Sequence, residues 1–398
     1  MNDTHPFRSR IGAARHTSRR SNQLLRLIRA AQPITRTEIA ERLSIDKSTV
    51  TENVKPLIAD GVLTEETQTA VGPGRRSRVV SFAENGSYFI GVNLGVRRTQ
   101  IGTSGLRGGL TEYDDLPTPR SPTAALKKVR QRIEAIVEHM SGRRLMMIGV
   151  SVPGMTDIDR RRLIFAPNLG WQEVDIASEL ALASGTPVIV ENDATAAAMY
   201  EARLKIRESD DGLLSNFILI RSGTGIGVGL VIDSEVFRGG GSARGVAGEF
   251  GHMTIVAGGK QCVCGNRGCW EMYASAASAA SLYMGDRPPK SGETVPRFVE
   301  IVARANAGEL RSRRTLEKIG DHLGIGIANV IMGVGIPRVV ISGRLVYAWH
   351  LIEAPMRAAI ERSIIGATHG WSVEAGEPAG SAIGGAVEAA IEEYLNRI

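Results

Sequence analysis

The chain has 398 residues, 43% of them hydrophobic and 23% charged, with 46 glycines; this is the make-up of a folded α/β protein with many tight turns, not of a disordered or fibrous chain. No apolar run approaches the roughly 20 residues of a membrane span, and the start, with Arg8, Arg10, Arg15, Arg19 and Arg20, lacks the apolar centre of a signal peptide, so a cytoplasmic location without membrane contact is expected. The net charge of +6 is uneven: residues 1–85 hold 14 Lys and Arg against 9 Asp and Glu, which points to nucleic acid at one end, or to a solvated basic tail, and to a different partner for the neutral remainder.

Residues 1–20 read as a basic arm. From 21 to 31, Leu24, Leu25, Leu27 and Ile28 share one helical stripe, which Pro33 ends. Thr35 stands three residues before Glu38, a capping box that opens a short helix from Arg36 to Leu43. After a turn through Ser44 and Ile45, Asp46 is placed to cap a second helix from Lys47 to Ala59. Two short helices about a tight turn match a helix-turn-helix, whose second member enters the major groove N-terminus first. Thr35, Arg36, Lys47, Ser48, Thr49, Thr51 and Asn53 are then candidates for phosphates or base edges, with Val50, Val54 and Leu57 kept for the core. Pro56 predicts a kink, or a restart near Leu57. Strands at Val62–Glu65 and Arg78–Phe82 flank a Gly72-Pro73-Gly74 turn, the pattern of a wing, where Arg75, Arg76 and Arg78 are positioned to follow phosphates or the minor groove. Residues 21–84 are thus expected to be a winged helix-turn-helix with operator DNA as partner; a basic domain that contacts protein is the competing reading.

From Tyr88 strands and helices alternate, so a second domain is expected over 85–398. Phe89–Gly95 and Thr99–Thr103 form a hairpin, Pro122–Met140 an amphipathic helix, and Met146–Val152 a buried strand that ends in a bend at Pro153-Gly154. A segment around Asn168 follows, and then the strand at 188–190 runs into Glu191-Asn192-Asp193 and an Ala-rich helix. An Asn-Asp pair there suits a helix cap, but a cap needs only one of the two. A carboxylate at the mouth of a parallel sheet is suited to accept a proton or a hydrogen bond from an alcohol. Phe217–Ile232 reads as a hairpin about Gly223-Thr224-Gly225, residues 286–293 as an exposed loop, Gly324–Met332 as a helix before the strand 338–342, and Gly380–Tyr394 as a closing helix that packs back on the first lobe.

All three cysteines fall within eight positions of one another. With His252, Cys262, Cys264 and Cys269 make a complete set of four soft or borderline ligands for a tetrahedral structural zinc; three neighbouring buried thiols are the plainer alternative. Gly265 and Gly268 supply the sharp turns, and a metal there would fix Glu249 and Glu271 beside it. The Gly248-Glu249-Phe250-Gly251-His252 element with Cys262-Val263-Cys264-Gly265-Asn266-Arg267-Gly268-Cys269-Trp270-Glu271 resembles the ROK family of sugar-sensing repressors and sugar kinases.

That resemblance implies a two-lobed actin-like (ribonuclease H-like) sugar-kinase-type domain with a sugar or sugar phosphate in its cleft. It implies contacts from Gly154, Asn168, Asn192, Asp193, Glu249, His252 and Glu271, with Asp193 at the position that in the kinases acts as base. The kinase hairpin reads Asp-x-Gly-Gly-Thr; here Asn93, Val96 and Arg97 replace the aspartate, the second glycine and the threonine, which removes a hard ligand for magnesium and obstructs close backbone approach to phosphate. Of the nucleotide-binding turn only Gly343 remains, followed by Arg344. The expected function is a non-enzymatic, sugar-controlled DNA-binding regulator, in the main a repressor, acting as a homodimer or homotetramer; an ATP-dependent sugar kinase with an accessory DNA module is the alternative.

Overall fold

The computed structural model describes residues 19–67, 77–84, 86–208, 216–232, 235–239, 247–291, 293–368, 370–378 and 381–398. Residues 1–18 of the basic arm and the wing tip, with Arg75 and Arg76, lie outside them.

The N-terminal unit runs α1 (Arg19–Ala31), β1 (Ile34–Thr35), α2 (Arg36–Leu43), α3 (Lys47–Ala59), β2 (Leu63–Thr67) and β3 (Arg78–Phe82). Its core is the predicted stripe: Leu24, Leu25, Leu27 and Ile28 close over Ile39, Val50, Val54 and Phe82, all essentially dry. The helix starts at Arg19, inside the arm expected over 1–20. The capping box is present, with Glu38 N donating to Thr35 Oγ1 at 3.1 Å and Thr35 N donating to Glu38 Oε2 at 2.7 Å, and Ser44 turns the chain in the left-handed region at φ 52°. Two expectations are corrected. Asp46 sits at the N-cap of α3 but makes no side-chain cap bond, its backbone carbonyl accepting from Val50 N instead. The helix also runs through Pro56 to Ala59 without a restart; the carbonyl that Pro56 leaves without a donor belongs to Glu52, a residue exposed at the surface. Strands β2 and β3 pair antiparallel, Leu63 opposite Phe82, with β1 on the other side of β3.

The first lobe follows: β4 (Ser87–Leu94), β5 (Arg98–Gly105), β6 (Gly108–Pro117), α4 (Pro122–His139), β7 (Arg144–Val152), β8 (Met155–Thr156), β9 (Leu163–Ala166), β10 (Trp171–Val174), α5 (Ile176–Glu179), β11 (Val188–Asn192) and α6 (Asp193–Glu208). Its sheet has the order β11-β7-β4-β5-β6, parallel across β11, β7 and β4 and antiparallel beyond. The second lobe comprises β12 (Phe217–Ser222), β13 (Ile226–Ile232), β14 (Glu235–Phe237), a 3-10 turn (Glu249–His252), α7 (Glu271–Ala274), α8 (Ser278–Tyr283), α9 (Phe298–Asn306), α10 (Leu310–Val334), β15 (Arg338–Gly343), α11 (Trp349–Glu361), β16 (Ser372–Ala375) and α12 (Ser381–Leu395), with sheet order β14-β13-β12-β15-β16. Helix α10 is far longer than the expected 324–332, because Leu316, Ile319, Leu323 and Ile327 continue one buried stripe under an otherwise charged first half. No described helix is long and apolar enough to cross a membrane.

Two helices tie the parts together. Helix α12 returns to the first lobe and packs on β4, β7 and α6, while α1 of the N-terminal unit also lies on α6. At that junction Arg26 Nε donates to Glu392 Oε2 at 2.8 Å, and Arg29 and Arg203 both donate to Glu388 Oε1, at 2.9 and 2.8 Å.

Candidate functional site

Strand ends of both lobes converge on a cleft of 660 Å³. From the first lobe come the β4–β5 turn, the bend at Gly154 and the start of α6; from the second come the β12–β13 turn, the 3-10 turn, the start of α7 and the turn after β15. Gly154 holds φ at +141°, and a Cβ there would stand 2.4 Å from the Phe165 carbonyl, so no other residue fits the bend.

Asn192 and Asp193 divide their duties. Asn192 Oδ1 accepts from Ala194 N at 2.9 Å and Thr195 N at 3.1 Å, capping α6, while its Nδ2 donates to the Gly154 carbonyl at 3.0 Å. Asp193 is therefore free of capping, and its Oδ2 accepts from Arg221 Nη1 at 2.5 Å. Glu249 and Glu271 face the same space. Burial, with Asp193 and Glu271 as charged neighbours, pushes the Glu249 carboxyl up to about 7. A Cβ on Gly225 would fall 2.2 Å from Glu271 Oε2 and 3.7 Å from Asn168 Nδ2, which sets those two side chains against one turn. Gly154, Asn168, Asn192, Asp193, Glu249, His252 and Glu271 thus line one cavity.

Arg221, Arg344 and Tyr347 also line it; sequence reasoning named Arg344 only as a departure from the nucleotide-binding turn and gave none of the three a place in the site. The available signal was a lone charge at the end of the apolar run Phe217-Ile218-Leu219-Ile220, where a solvated strand end offers the plainer explanation. Asn93 is buried, with Nδ2 donating to Gln100 Oε1 and Oδ1 accepting from Ser151 Oγ, both at 3.1 Å. Arg98 turns to Asp115, Nε to Oδ1 at 2.6 Å.

Beside the cleft, one ligand atom each from His252, Cys262, Cys264 and Cys269 lie within 4.8 Å of one another. Cys264 and Cys269 sulfurs are 3.7 Å apart, and Cys262 Sγ is 3.6 Å from His252 Nδ1. Sulfurs at about 2.3 Å and a nitrogen at about 2.05 Å from one tetrahedral ion would stand about 3.8 Å (S to S) and 3.6 Å (S to N) apart. The group therefore has the donors and the spacing for a metal ion, and the sulfurs are too far apart for a disulfide. Burial pushes the Cys262 and Cys269 thiols up, a penalty on bare thiolates that a bound cation would reverse. Cys262 Sγ also donates to Glu271 Oε1 at 3.1 Å, and His252 Nε2 lies 3.7 Å from Glu249 Oε2. The cluster and the acids of the cleft are thus in direct contact. Gly268 permits the loop: at φ +79°, a Cβ would meet the Val256 carbonyl at 1.8 Å.

In the helix-turn-helix, Lys47 and Ser48 are exposed at the start of α3, Thr49 is half-buried, and Lys55 is exposed further along the helix. Other candidates are engaged within the unit. Thr35 caps α2; Arg36 Nε lies 2.9 Å from Glu65 Oε1 and its Nη1 donates to Thr51 Oγ1 at 3.3 Å; Asn53 Nδ2 donates to the Thr49 carbonyl at 2.8 Å. Arg78, at the base of the wing, is exposed and 3.5 Å from Glu65.

A sequence profile described as the ROK family matches residues 89–391, and one described as a winged helix-turn-helix, DNA-binding, matches residues 18–64. The chain is 29% identical over 345 residues to the xylose repressor of Bacillus subtilis (strain 168), covering 86% of each chain. It is also 29% identical over 290 residues to the glucokinase of Streptomyces coelicolor, covering 70% of this chain and 88% of that one. Among solved structures, a ROK family transcriptional regulator, homologous to the Escherichia coli MLC protein, superposes with a TM-score of 0.75 at 22% identity, covering 95% of this chain and 96% of that one.

Proposed function

The chain belongs to the ROK family, and on that premise we propose that it is a sequence-specific DNA-binding repressor of carbohydrate genes, controlled by a sugar or sugar derivative held in the cleft. We divide it into a basic arm over 1–20, a DNA reader over 21–84 and a sensor over 85–398. The observation that carries the reading is the course of α6. Its first residue, Asp193, faces the cleft; its later turns carry α1 of the reader, and Arg203 there shares Glu388 with Arg29 of α1. Sixteen residues of helix span about 24 Å, so one stiff element joins ligand site and reader. A sugar that draws the lobes together would tilt α6 and move the reader with it. In a symmetric dimer or tetramer this changes the spacing of paired recognition helices, and a coupling of about 1–3 kcal/mol alters operator affinity roughly five- to 150-fold.

The metal we assign to His252, Cys262, Cys264 and Cys269 is zinc, since three thiols and an imidazole are soft-to-borderline donors and the set closes all four positions. A zinc there would supply a structural clamp. The residues themselves hold Glu271 and Glu249 at the cleft wall, where carboxylates accept hydrogen bonds from paired sugar hydroxyls.

The kinase reading draws on the glucokinase relative. Against it stand Asn93, an amide where a magnesium-binding carboxylate is needed and already engaged through both polar atoms, and Asp193, whose carboxylate is held by Arg221. Selection of bound sequences from a random duplex pool by the purified protein, followed by anisotropy titrations with and without sugars, tests the proposal. A selected site whose affinity moves at least fivefold with one sugar is the expected result. ATP consumption with a hexose, pentose or amino sugar, or failure to select any sequence, would overturn it.

A further inference from the structure

The direction of Arg221 follows from the alternation of β12. Ile218 and Ile220 point into the core of the second lobe, whereas Phe217 and Leu219 pack on the other face with Ala197 and Ala198 of α6. Side chains of a strand alternate between its faces, so Arg221 falls on the face turned to α6, just past the last apolar residue there. Its partner across the hairpin is Gly227, and a Cβ on Gly227 would meet the Ala194 Cβ at 2.6 Å. Partners across two strands share a face, so the Arg221 side chain runs beside the first turn of α6. There Arg221 Nη1 donates to Asp193 Oδ2 at 2.5 Å, each side chain is 20% exposed, and Arg221 Nε is buried without a hydrogen bond. Among the described residues this is the one hydrogen bond that the Asp193 carboxylate accepts. A helix start disfavours a cation and favours an acid, so Arg221 is stable at this place only while Asp193 answers it. Asp193 is also the acid that faces the cleft, and a hydroxyl gains less from a carboxylate already held in a charge-assisted pair than from a free one.

We propose that Arg221 is an internal competitor for the sugar: in the sugar-free protein it occupies Asp193 as a latch between β12 and the start of α6, and a sugar hydroxyl takes Asp193 by displacing it. This rests on the reading of the cleft as a sugar site. The pair exists only without ligand, so its strength lowers sugar affinity, and Arg221 sets the sugar concentration at which β12 lets go of the start of α6.

The test is titration calorimetry on the full-length protein with glucose, xylose and N-acetylglucosamine, at low and high salt, for the parent, Arg221→Met and Arg221→Lys. Methionine keeps the length of the side chain, and Asp193 is left at a helix start that favours a carboxylate, so the fold is retained. A sugar that binds the parent should bind Arg221→Met about fivefold more tightly, and should bind Arg221→Lys, which keeps a cation, within about twofold of the parent. Salt screens a partly exposed ion pair, so the parent's affinity for a neutral sugar should rise with salt while that of Arg221→Met stays flat. A residue that only supports the fold would instead lower melting temperature and sugar affinity together. An Arg221→Met affinity equal to or below the parent's would overturn the latch and leave the cleft a sugar site. Absence of binding by all three sugars, to the parent and to Arg221→Met alike, would take down the cleft reading and the latch with it.

Discussion

Arg29, in the first helix of the DNA reader, donates to Glu388, in the last helix of the sensor, at 2.9 Å, and both side chains are almost completely buried. Burial outweighs the pairing: it holds the Arg29 guanidinium down to about 10 although Glu388 works the other way. Glu388→Gln should therefore leave an uncompensated buried charge and cost about 3–5 kcal/mol, whereas Arg29→Met with Glu388→Leu, which leaves only the part-exposed Arg203 without its partner, should be nearly neutral. Urea denaturation separates the two. If the pair also couples sensor to reader, the double variant should bind operator with a weaker response to sugar at full stability. An unchanged response would confine the pair to packing.

Much of this was legible in the sequence because the signals were local. The capping box at Thr35 and Glu38, the apolar stripe of α1 and the spacing of His252 and the three cysteines each need only neighbours in the chain. What escaped depends on contacts from afar. Arg221 pairs with a residue 28 positions earlier, and nothing in its own strand announces that. Arg36 has the composition of a DNA contact, but its partners Glu65 and Thr51 arrive only when the wing and α3 fold over it. The first half of α10 reads as a solvated charged face until α11 is laid along it.

The purified protein should contain about one zinc per chain, and Cys264→Ser should lose it. Gly268→Ala should behave alike for a different reason, since its Cβ would stand 1.8 Å from the Val256 carbonyl and open the loop. Elemental analysis with melting curves reads both, because a metal bound only by the folded state raises the melting temperature by mass action. Sugar binding should fall with the metal, as Glu271 loses its neighbour Cys262 from position. Undiminished sugar affinity in a metal-free variant would show that the cluster does not shape the cleft.

Glu201 gives a pH dependence that owes nothing to the cleft. It is 2% exposed, with Oε2 accepting from Glu377 N at 3.3 Å. Burial raises its carboxyl above the ordinary 4.5, the Glu377 N–H and Lys205 oppose this, and Glu377 and Glu208 add to it. A folded value above the unfolded one means that the fold favours the protonated form. The contribution to stability is complete below about 4.5 and is lost as pH rises through the folded value. Glu201→Gln should therefore raise the denaturation midpoint at neutral pH and leave it nearly unchanged near pH 4. An equal effect at both would mean that the substitution acts through packing.

Exposed and internally paired cations of the reader should separate cleanly in salt titrations. Lys47, exposed at the start of α3, is free to meet a phosphate, so Lys47→Ala should weaken every duplex alike and reduce the slope of log affinity against log salt by about one. Arg36 is a strut between Glu65 and Thr51. Arg36→Gln should lower the melting temperature of the reader, because it leaves Glu65 without its half-buried partner, and should leave the salt slope of the folded protein unaltered. Should Arg36→Gln instead flatten the slope while melting with the parent protein, Arg36 leaves Glu65 for the DNA on binding, and the second helix docks with its flank as well as its N-terminus.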